Sequence, residues 1–231
     1  MLELFPEGFE EVDRPEGVEL AAYTDAAGEE RLWAFFAGAR GADVEGGWED
    51  RWRAFHRPVR VGRLWVGPPW EAPPADALPV VVDPGRAFGT GSHPTTQLCL
   101  HALQELEPGS LLDVGCGSGV LSIAAAKLGF APVIGIDNEA DAVETTRVNA
   151  QANGADVTAH RADALVAELP TTDVVVANVS LESVERLLPR LGARLVVTSG
   201  YLERDEPTAP GWRRLDRRDR EGWAADLFER A

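Results

Sequence analysis

The chain has 231 residues with 38 acidic and 22 basic side chains, a formal net charge of -16. This length can bury one substantial α/β core plus a small second unit. The acidic balance argues against direct DNA binding, because phosphate contacts need clustered cations, and it favours encounter with a basic partner; acidity that only confers solubility is the alternative.

Membrane and secretory classes are not expected from this sequence. No apolar run approaches the length of a transmembrane helix, and the first residues lack the basic start and apolar core of a signal peptide. Cys99 and Cys116 are the only cysteines, too few for a disulfide framework or a zinc site. We therefore expect no metal and a reducing, cytoplasmic location.

The first 74 residues are predicted to form a unit of their own and a linker. Residues 1–47 hold twelve acids against three arginines, and strand-like segments at 18–24 and 31–36 indicate a small α+β unit. Residues 48–74 are predicted to form an aromatic helix followed by a proline-rich linker. Trp48, Trp52 and Phe55 share one helix face, which indicates packing more often than ligand binding.

From residue 75 to 231 strand-like and helical segments alternate. The strand-like runs are 80–82, 111–114, 133–136, 157–159, 174–177 and 194–198, and the helical runs are 95–106, 120–128, 140–153 and 181–191. This alternation predicts a parallel sheet covered on both faces. The last two strand-like runs, 212–215 and 223–228, have no helix between them and predict an antiparallel hairpin at one edge.

A glycine loop follows the apolar run at 111–114. Its pattern is D-x-G-x-G-x-G, formed by Asp113, Gly115, Gly117 and Gly119. Glycine permits both the tight turn and the close approach of a ligand to bare backbone. Dinucleotide sites read G-x-G-x-x-G and hold a phosphate, which the carboxylate of Asp113 would repel. The loop therefore indicates a nucleotide-like ligand that carries positive charge.

Three polar residues follow the next strands. Asp137 ends the run at 133–137, where an acid accepts hydrogen bonds from ribose hydroxyls; a helix cap is the alternative. Asp163 could contact an adenine amino group, or it could be a turn residue. Asn178 ends the fourth strand and could hold and aim an amine, although turn chemistry also explains an asparagine there.

A second motif precedes the glycine loop, in the segment 83–96, Asp-Pro-Gly-Arg-Ala-Phe-Gly-Thr-Gly-Ser-His-Pro-Thr-Thr. Thr95 and Thr96 can cap the helix that follows. Phe88 and His93 are harder to explain by loop geometry alone, and a lid over a bound ligand would account for both.

Together, residues 113–119, Asp137 and Asn178 resemble the S-adenosylmethionine site of a class I methyltransferase. The segment 83–96 is similar to that of the PrmA-type ribosomal protein methyltransferases, and the resemblance covers residues 48–200. It implies a Rossmann-like α/β fold with a seven-stranded, mostly parallel sheet. It also implies methyl transfer to lysine or α-amino groups of the stalk-base protein of the large ribosomal subunit.

The resemblance also implies roles for individual residues. The cofactor contacts of the family fall on Thr96, Gly115, Asp137 and Asn178, and we add Asp113, Gly117 and Asp163 as cofactor-binding candidates. Asn178 is assigned to orienting the nucleophile, Thr96 to the methionine end of the cofactor, and Phe88 to the lid. No dedicated general base is expected.

The chain departs from the family pattern in two places. Its N-terminal region is a reduced form of the family's substrate-recognition domain, and residues 198–212 are too proline-rich for a long helix. A small-molecule or other protein methyltransferase and a non-catalytic binding module are the alternatives. The sequence Asn178-Val-Ser-Leu lacks the Pro-Pro-aromatic signature of nucleic-acid or glutamine methyltransferases, and the glycine spacing opposes NAD.

Overall fold

The computed structural model describes residues 10–14, 17–21, 57–83 and 91–231. The chain divides into two units after Trp52. In the first unit, β1 (Glu10–Arg14) and β2 (Gly17–Ala21) form an antiparallel hairpin. The predicted strand at 31–36 and the aromatic helix lie outside the described residues, so both stay predictions.

The second unit contains a three-stranded sheet that the sequence pattern did not predict. Its strands are β3 (Val59–Val61), β4 (Leu64–Gly67) and β5 (Leu78–Val81). Strands β3 and β4 are antiparallel, and β4 and β5 are parallel. Two strands therefore lie within the stretch assigned to helix and linker. The strand expected at 80–82 pairs with β4 and does not join the main parallel sheet.

The main sheet has seven strands, in the spatial order β11-β12-β10-β9-β6-β7-β8. In chain order they are β6 (Leu111–Val114), β7 (Val133–Asp137), β8 (Val157–Arg161), β9 (Thr172–Asn178), β10 (Ala193–Leu202), β11 (Trp212–Arg220) and β12 (Trp223–Arg230). Strands β8, β7, β6, β9 and β10 are parallel, while β12 is antiparallel to both β10 and β11. The predicted Rossmann-like fold with an antiparallel C-terminal hairpin is confirmed.

Among the described residues, helix α1 (Pro94–Glu105) precedes β6. Helices α2 (Val120–Leu128), α3 (Ala140–Ala152) and α4 (Leu181–Leu187) connect β6 to β7, β7 to β8 and β9 to β10. A 3-10 turn, Leu188–Arg190, follows α4, because Pro189 cannot continue an α-helix. The predicted helix at 181–191 is therefore shorter than expected. Between β10 and β11 the chain forms no helix, as the prolines there predicted.

The apolar core lies on both faces of the main sheet. In β9, Val174 and Val176 pack in the cluster that includes α1 and α2, while Val175 and Ala177 pack in the cluster on the opposite face. An unbroken apolar run is typical of a parallel strand buried on both sides. Burial on both faces leaves the carboxyl ends of the strands as the accessible place for a ligand.

Among the described residues, no helix is long and apolar enough to cross a membrane.

Candidate functional site

The carboxyl ends of β6, β7 and β8 surround a cleft in the second unit. It is lined by residues that follow these three strands and by the start of the segment after β9: Val114, Gly115, Ile136, Asp137, Asn138, Ala162, Asp163, Ala164, Leu165, Val179, Ser183 and Leu187. This is the edge of an open α/β sheet where ligands bind. The predicted residues Gly115, Asp137 and Asp163 meet here.

The glycine loop has the backbone that its sequence predicted. Gly115, Gly117 and Gly119 have φ angles of +74°, +53° and +82°, a region that side chains with a Cβ rarely adopt. A Cβ on Gly115 would also lie 2.8 Å from Cγ1 of Val179, at the wall of the cleft. Any side chain at Gly115 would therefore strain the loop and crowd the cleft.

Asp137 joins the end of β7 to the glycine loop. One carboxylate oxygen, Oδ2, accepts a hydrogen bond of 3.0 Å from the Gly117 N–H, and Oδ1 accepts one of 3.0 Å from the Glu139 N–H. The N-cap position of α3 belongs to Glu139, so Asp137 is not the cap of that helix. A carboxylate can accept about four hydrogen bonds. Two acceptor positions remain for hydroxyls of a ligand in the cleft.

Asp113 is placed differently from the other predicted contacts. Asp113 is 1% exposed and does not line the cleft. Oδ2 accepts a 2.6 Å hydrogen bond from Oγ of Ser122 in α2, and Oδ1 has no hydrogen-bond partner among the described residues. Burial raises the pKa of this carboxyl to about 6. The hydrogen bond between Asp113 and Ser122 therefore fixes α2 behind the loop.

Asp163 lies in a turn at the wall of the cleft, and its contact with an adenine amino group stays a prediction. Oδ1 accepts a 2.9 Å hydrogen bond from the Leu165 N–H, and the Asp163 carbonyl accepts from the N–H groups of Val166 and Ala167. It is thus a turn residue, and the same turn lines the cleft. Arg190, which the sequence did not single out, holds this turn from outside. Its guanidinium donates to the carbonyls of Ala164 and Ala167.

Asn178 and Thr96 come together from distant parts of the chain. The amide Nδ2 of Asn178, at the end of β9, donates a 3.3 Å hydrogen bond to Oγ1 of Thr96 in the first turn of α1. Thr96 is 1% exposed and Asn178 is half-buried. With Nδ2 bound to Thr96, the carbonyl Oδ1 of Asn178 is the acceptor that can serve a ligand. Val179, the next residue, lines the cleft.

His93 corrects the predicted start of α1. His93 is the N-cap residue, with Pro94 at the first helical position, and Nδ1 lies 2.7 Å from Oγ1 of Thr95. Thr95 and Thr96 therefore do not cap the helix. The His93 ring packs edge-on against Trp223 at the start of β12, with ring centroids 4.9 Å apart. Trp223 was missed because it approaches from the far end of the chain, and no local pattern marks it.

Phe88 lies outside the described residues, so its predicted lid role stays a prediction.

The two cysteines are buried and free, and burial raises the pKa of both thiols. Among the residues that the structure describes, no group of His, Cys, Asp or Glu could hold a metal ion.

Comparison with known proteins gives the family. The model of the ribosomal protein L11 methyltransferase family (PrmA) matches residues 36–206. The chain is 46% identical over 153 residues to the ribosomal protein L11 methyltransferase of Photorhabdus laumondii, covering 63% of this chain and 51% of the relative. It is 43% identical over 180 residues to the protein of that name in Burkholderia multivorans, covering 72% and 59%.

A solved structure agrees with this result. The ribosomal protein L11 methylase of Lactobacillus delbrueckii subsp. bulgaricus superposes with a TM-score of 0.69 at 27% identity, over 76% of this chain and 99% of that one. The chain spans about half the length of the curated relatives it matches. The family match covers both the cleft and the Asn178–Thr96 pair, and the chain belongs to the ribosomal protein L11 methyltransferase family.

Proposed function

We propose that this chain transfers methyl groups from S-adenosylmethionine to amino groups of ribosomal protein L11, at lysine side chains or the α-amino group. The observation that carries the proposal is the meeting of Asp137 and the glycine loop at one cleft. The names of the relatives support the substrate, and the site supports the cofactor.

The residues of the cleft fit a nucleoside that carries no phosphate. Asp137 and Asp163 both line it, and two carboxylates favour ribose hydroxyls and an amino group over a phosphate. Asp137 has acceptor positions left for the ribose hydroxyls, and the turn of Asp163 would face the adenine. Gly115 would let the ligand approach the backbone. We assign Thr96 to the methionine end, next to Asn178.

When bound, S-adenosylmethionine supplies a methyl group on a sulfonium, which is already a good leaving group. The contribution left to the protein is the alignment of the attacking amine. Asn178 is suited to this task because its Nδ2 is held by Thr96, which fixes the direction of its Oδ1. That oxygen can accept an N–H of the incoming amine and hold its lone pair in line with the methyl carbon.

The acceptor amine must lose a proton before it can attack. A free lysine amine has a pKa of about 10.4, and desolvation of the ammonium on entering the site lowers that pKa. Water can then take the proton, so the proposal needs no dedicated base. The net charge of -16 favours encounter with a basic protein such as the proposed substrate.

The test is the intact mass of unmethylated L11 after incubation with this chain and S-adenosylmethionine. We expect a mass gain in whole methyl groups, and peptide fragmentation would assign them to lysine or α-amino nitrogens. The matched control is the Asn178→Ala variant, which keeps the residues that line the cleft but should transfer methyl groups more slowly. No mass gain, with binding of S-adenosylhomocysteine confirmed by calorimetry, would overturn L11 as substrate and leave the cofactor proposal standing.

A further inference from the structure

The C-terminal end of α3 and its C-cap residue, Asn153, hydrogen-bond the outer edge of β5 through side-chain amides. Oδ1 of Asn153 accepts a 2.9 Å hydrogen bond from the Val81 N–H, and its Nδ2 donates one of 2.6 Å to the Val81 carbonyl. On the other edge of β5, the Leu78 N–H donates to the carbonyl of Arg63, just before β4. The N–H of Val82, just after β5, donates to the carbonyl of Gly67 at the end of β4. Asn153 therefore offers β5 the donor and acceptor that a neighbouring strand would offer.

Asn149 extends this contact by one helical turn. Its Oδ1 accepts a hydrogen bond of 3.3 Å from the Asp83 N–H. Four residues of helix advance about 6 Å, and two residues of strand advance about 6.6 Å. The spacing of Asn149 and Asn153 therefore matches that of Asp83 and Val81. Their two side-chain amides hydrogen-bond successive positions along the same strand edge.

Asn149 differs from Asn153 in a second contact. Its Nδ2 donates a 2.9 Å hydrogen bond to the carbonyl of Ser118, which lies in the glycine loop between Gly117 and Gly119. Asn149 is 3% exposed and Ser118 is 1% exposed. A buried amide bonded on both sides cannot follow one partner without losing the other, and a buried polar group left unbonded is costly.

We propose that Asn149 is a positioning residue that couples the glycine loop to the end of β5. Ligand binding at the loop then stabilises the backbone at Asp83, where the Asp-Pro-Gly motif begins. The coupling rests on the proposed function, because S-adenosylmethionine is the ligand that would occupy the loop. The side chain of Asn153 bonds Val81 and the Asn149 carbonyl rather than the loop, so it strengthens β5 without transmitting binding.

The experiment is hydrogen exchange of the Val81 and Asp83 amides in the full chain, with and without saturating S-adenosylhomocysteine. In the unmodified protein we expect the ligand to slow exchange at Asp83 several-fold. Asn149→Ala removes both contacts, and the ligand then leaves Asp83 exchange unchanged. The matched variant Asn153→Ala speeds exchange at Val81 in both states, yet keeps the ligand effect at Asp83.

Asn149→Asp separates the two contacts of this side chain. An ionised carboxylate still accepts from the Asp83 N–H but has no hydrogen to donate to Ser118. We expect protection of Asp83 without ligand to be retained and the ligand effect to be lost. Circular dichroism checks that each variant is folded, and the unmodified protein provides a test that needs no variant.

The possible failures are distinguishable. If calorimetry shows that the ligand binds while Asp83 exchange stays unchanged in the unmodified protein, the coupling is overturned. A ligand effect on Asp83 exchange that survives in Asn149→Ala would also overturn it. If S-adenosylhomocysteine does not bind the unmodified protein, the proposed function fails, and the coupling falls with it.

Discussion

Two buried aspartates, one behind the glycine loop and one in the C-terminal hairpin, are bonded very differently. Asp226 in β12 accepts a 2.8 Å hydrogen bond from the Tyr201 hydroxyl, and Arg214 and Arg217 form ion pairs of 2.9 and 3.0 Å with it. Among the described residues, Asp113 is hydrogen-bonded by Ser122 alone, whose hydroxyl donates to Oδ2. Both residues are 1% exposed.

The difference separates a paired carboxylate from an incompletely bonded one that supports the glycine loop from behind. A buried charge is costly unless it is paired, and the arginines on β11 supply that pairing to Asp226. Asp226 therefore ties β10, β11 and β12 together. Asp113 has no such cation, and its Oδ1 is without a hydrogen-bond partner among the described residues.

Removing the structural carboxylate should have the largest effect on stability. Asp226→Ala leaves two arginines and a tyrosine without their shared acceptor, which we expect to cost about 3 kcal/mol of unfolding free energy. Urea denaturation measures this loss. Binding of S-adenosylhomocysteine to the folded fraction should be unchanged. If Asp226→Ala kept full stability but bound S-adenosylhomocysteine more weakly, the structural role given to Asp226 would be wrong.

Removing the amide at the site should instead affect turnover. Asn178→Ala loses the group that aims the amine, and a small misplacement of the reacting atoms can lower the rate about 100-fold. Single-turnover methyl transfer measures this, and calorimetry should show cofactor affinity close to that of the unmodified protein. Turnover at the unmodified rate would exclude Asn178 from the reaction.

The incompletely bonded carboxyl should show itself in the pH dependence of stability. The pKa of Asp113 is raised to about 6, so the folded protein keeps this proton above the pH at which the unfolded chain releases it. The stabilising contribution is fully present below pH of about 4 and is lost as pH rises through about 6. A shift of this size corresponds to about 3 kcal/mol by the same linkage.

Asp113→Asn isolates this contribution because the amide does not titrate. We expect the variant to gain about 3 kcal/mol relative to the unmodified protein between pH 4 and pH 7, as measured by urea denaturation at each pH. A difference that stays constant with pH would show that Asp113 does not titrate in this range.

The smallest effect is expected for an exposed ion pair on the same hairpin. Arg213 pairs with Glu229 at 2.5 Å, and its side chain is 66% exposed. Exposed pairs contribute less than about 1 kcal/mol, so Arg213→Ala is the matched control for Asp226→Ala. A loss in Arg213→Ala as large as that in Asp226→Ala would show that burial does not set the difference between them.

Much of the main sheet was predictable because its signals are local. The strand-like runs at 111–114 and 174–177 are buried on both faces of the sheet. The positive φ angles of the glycine loop could be predicted because glycine is the residue type that adopts them readily. Strands β3 and β4 were missed because they have three and four residues, too few to show a period beside the prolines.

The sequence predicted those site residues that directly follow a strand. It did not predict contacts between residues that are far apart in the chain. Asp137 and Asp163 could be placed at the cleft from the order of strands. The packing of His93 on Trp223 depends on two distant segments meeting, and no local pattern encodes it. The burial of Asp113 likewise follows from the packing of α2.

The most direct test is calorimetric titration of S-adenosylhomocysteine into the unmodified chain and into Asp137→Ala. Within the part of the chain that the structure describes, Asp137 is the one side chain that both lines the cleft and hydrogen-bonds the glycine loop. We predict binding by the unmodified chain and a loss of about 100-fold in the variant, the size expected for hydrogen bonds to a charged group. Equal affinities would contradict the assignment of this cleft to the methyl donor.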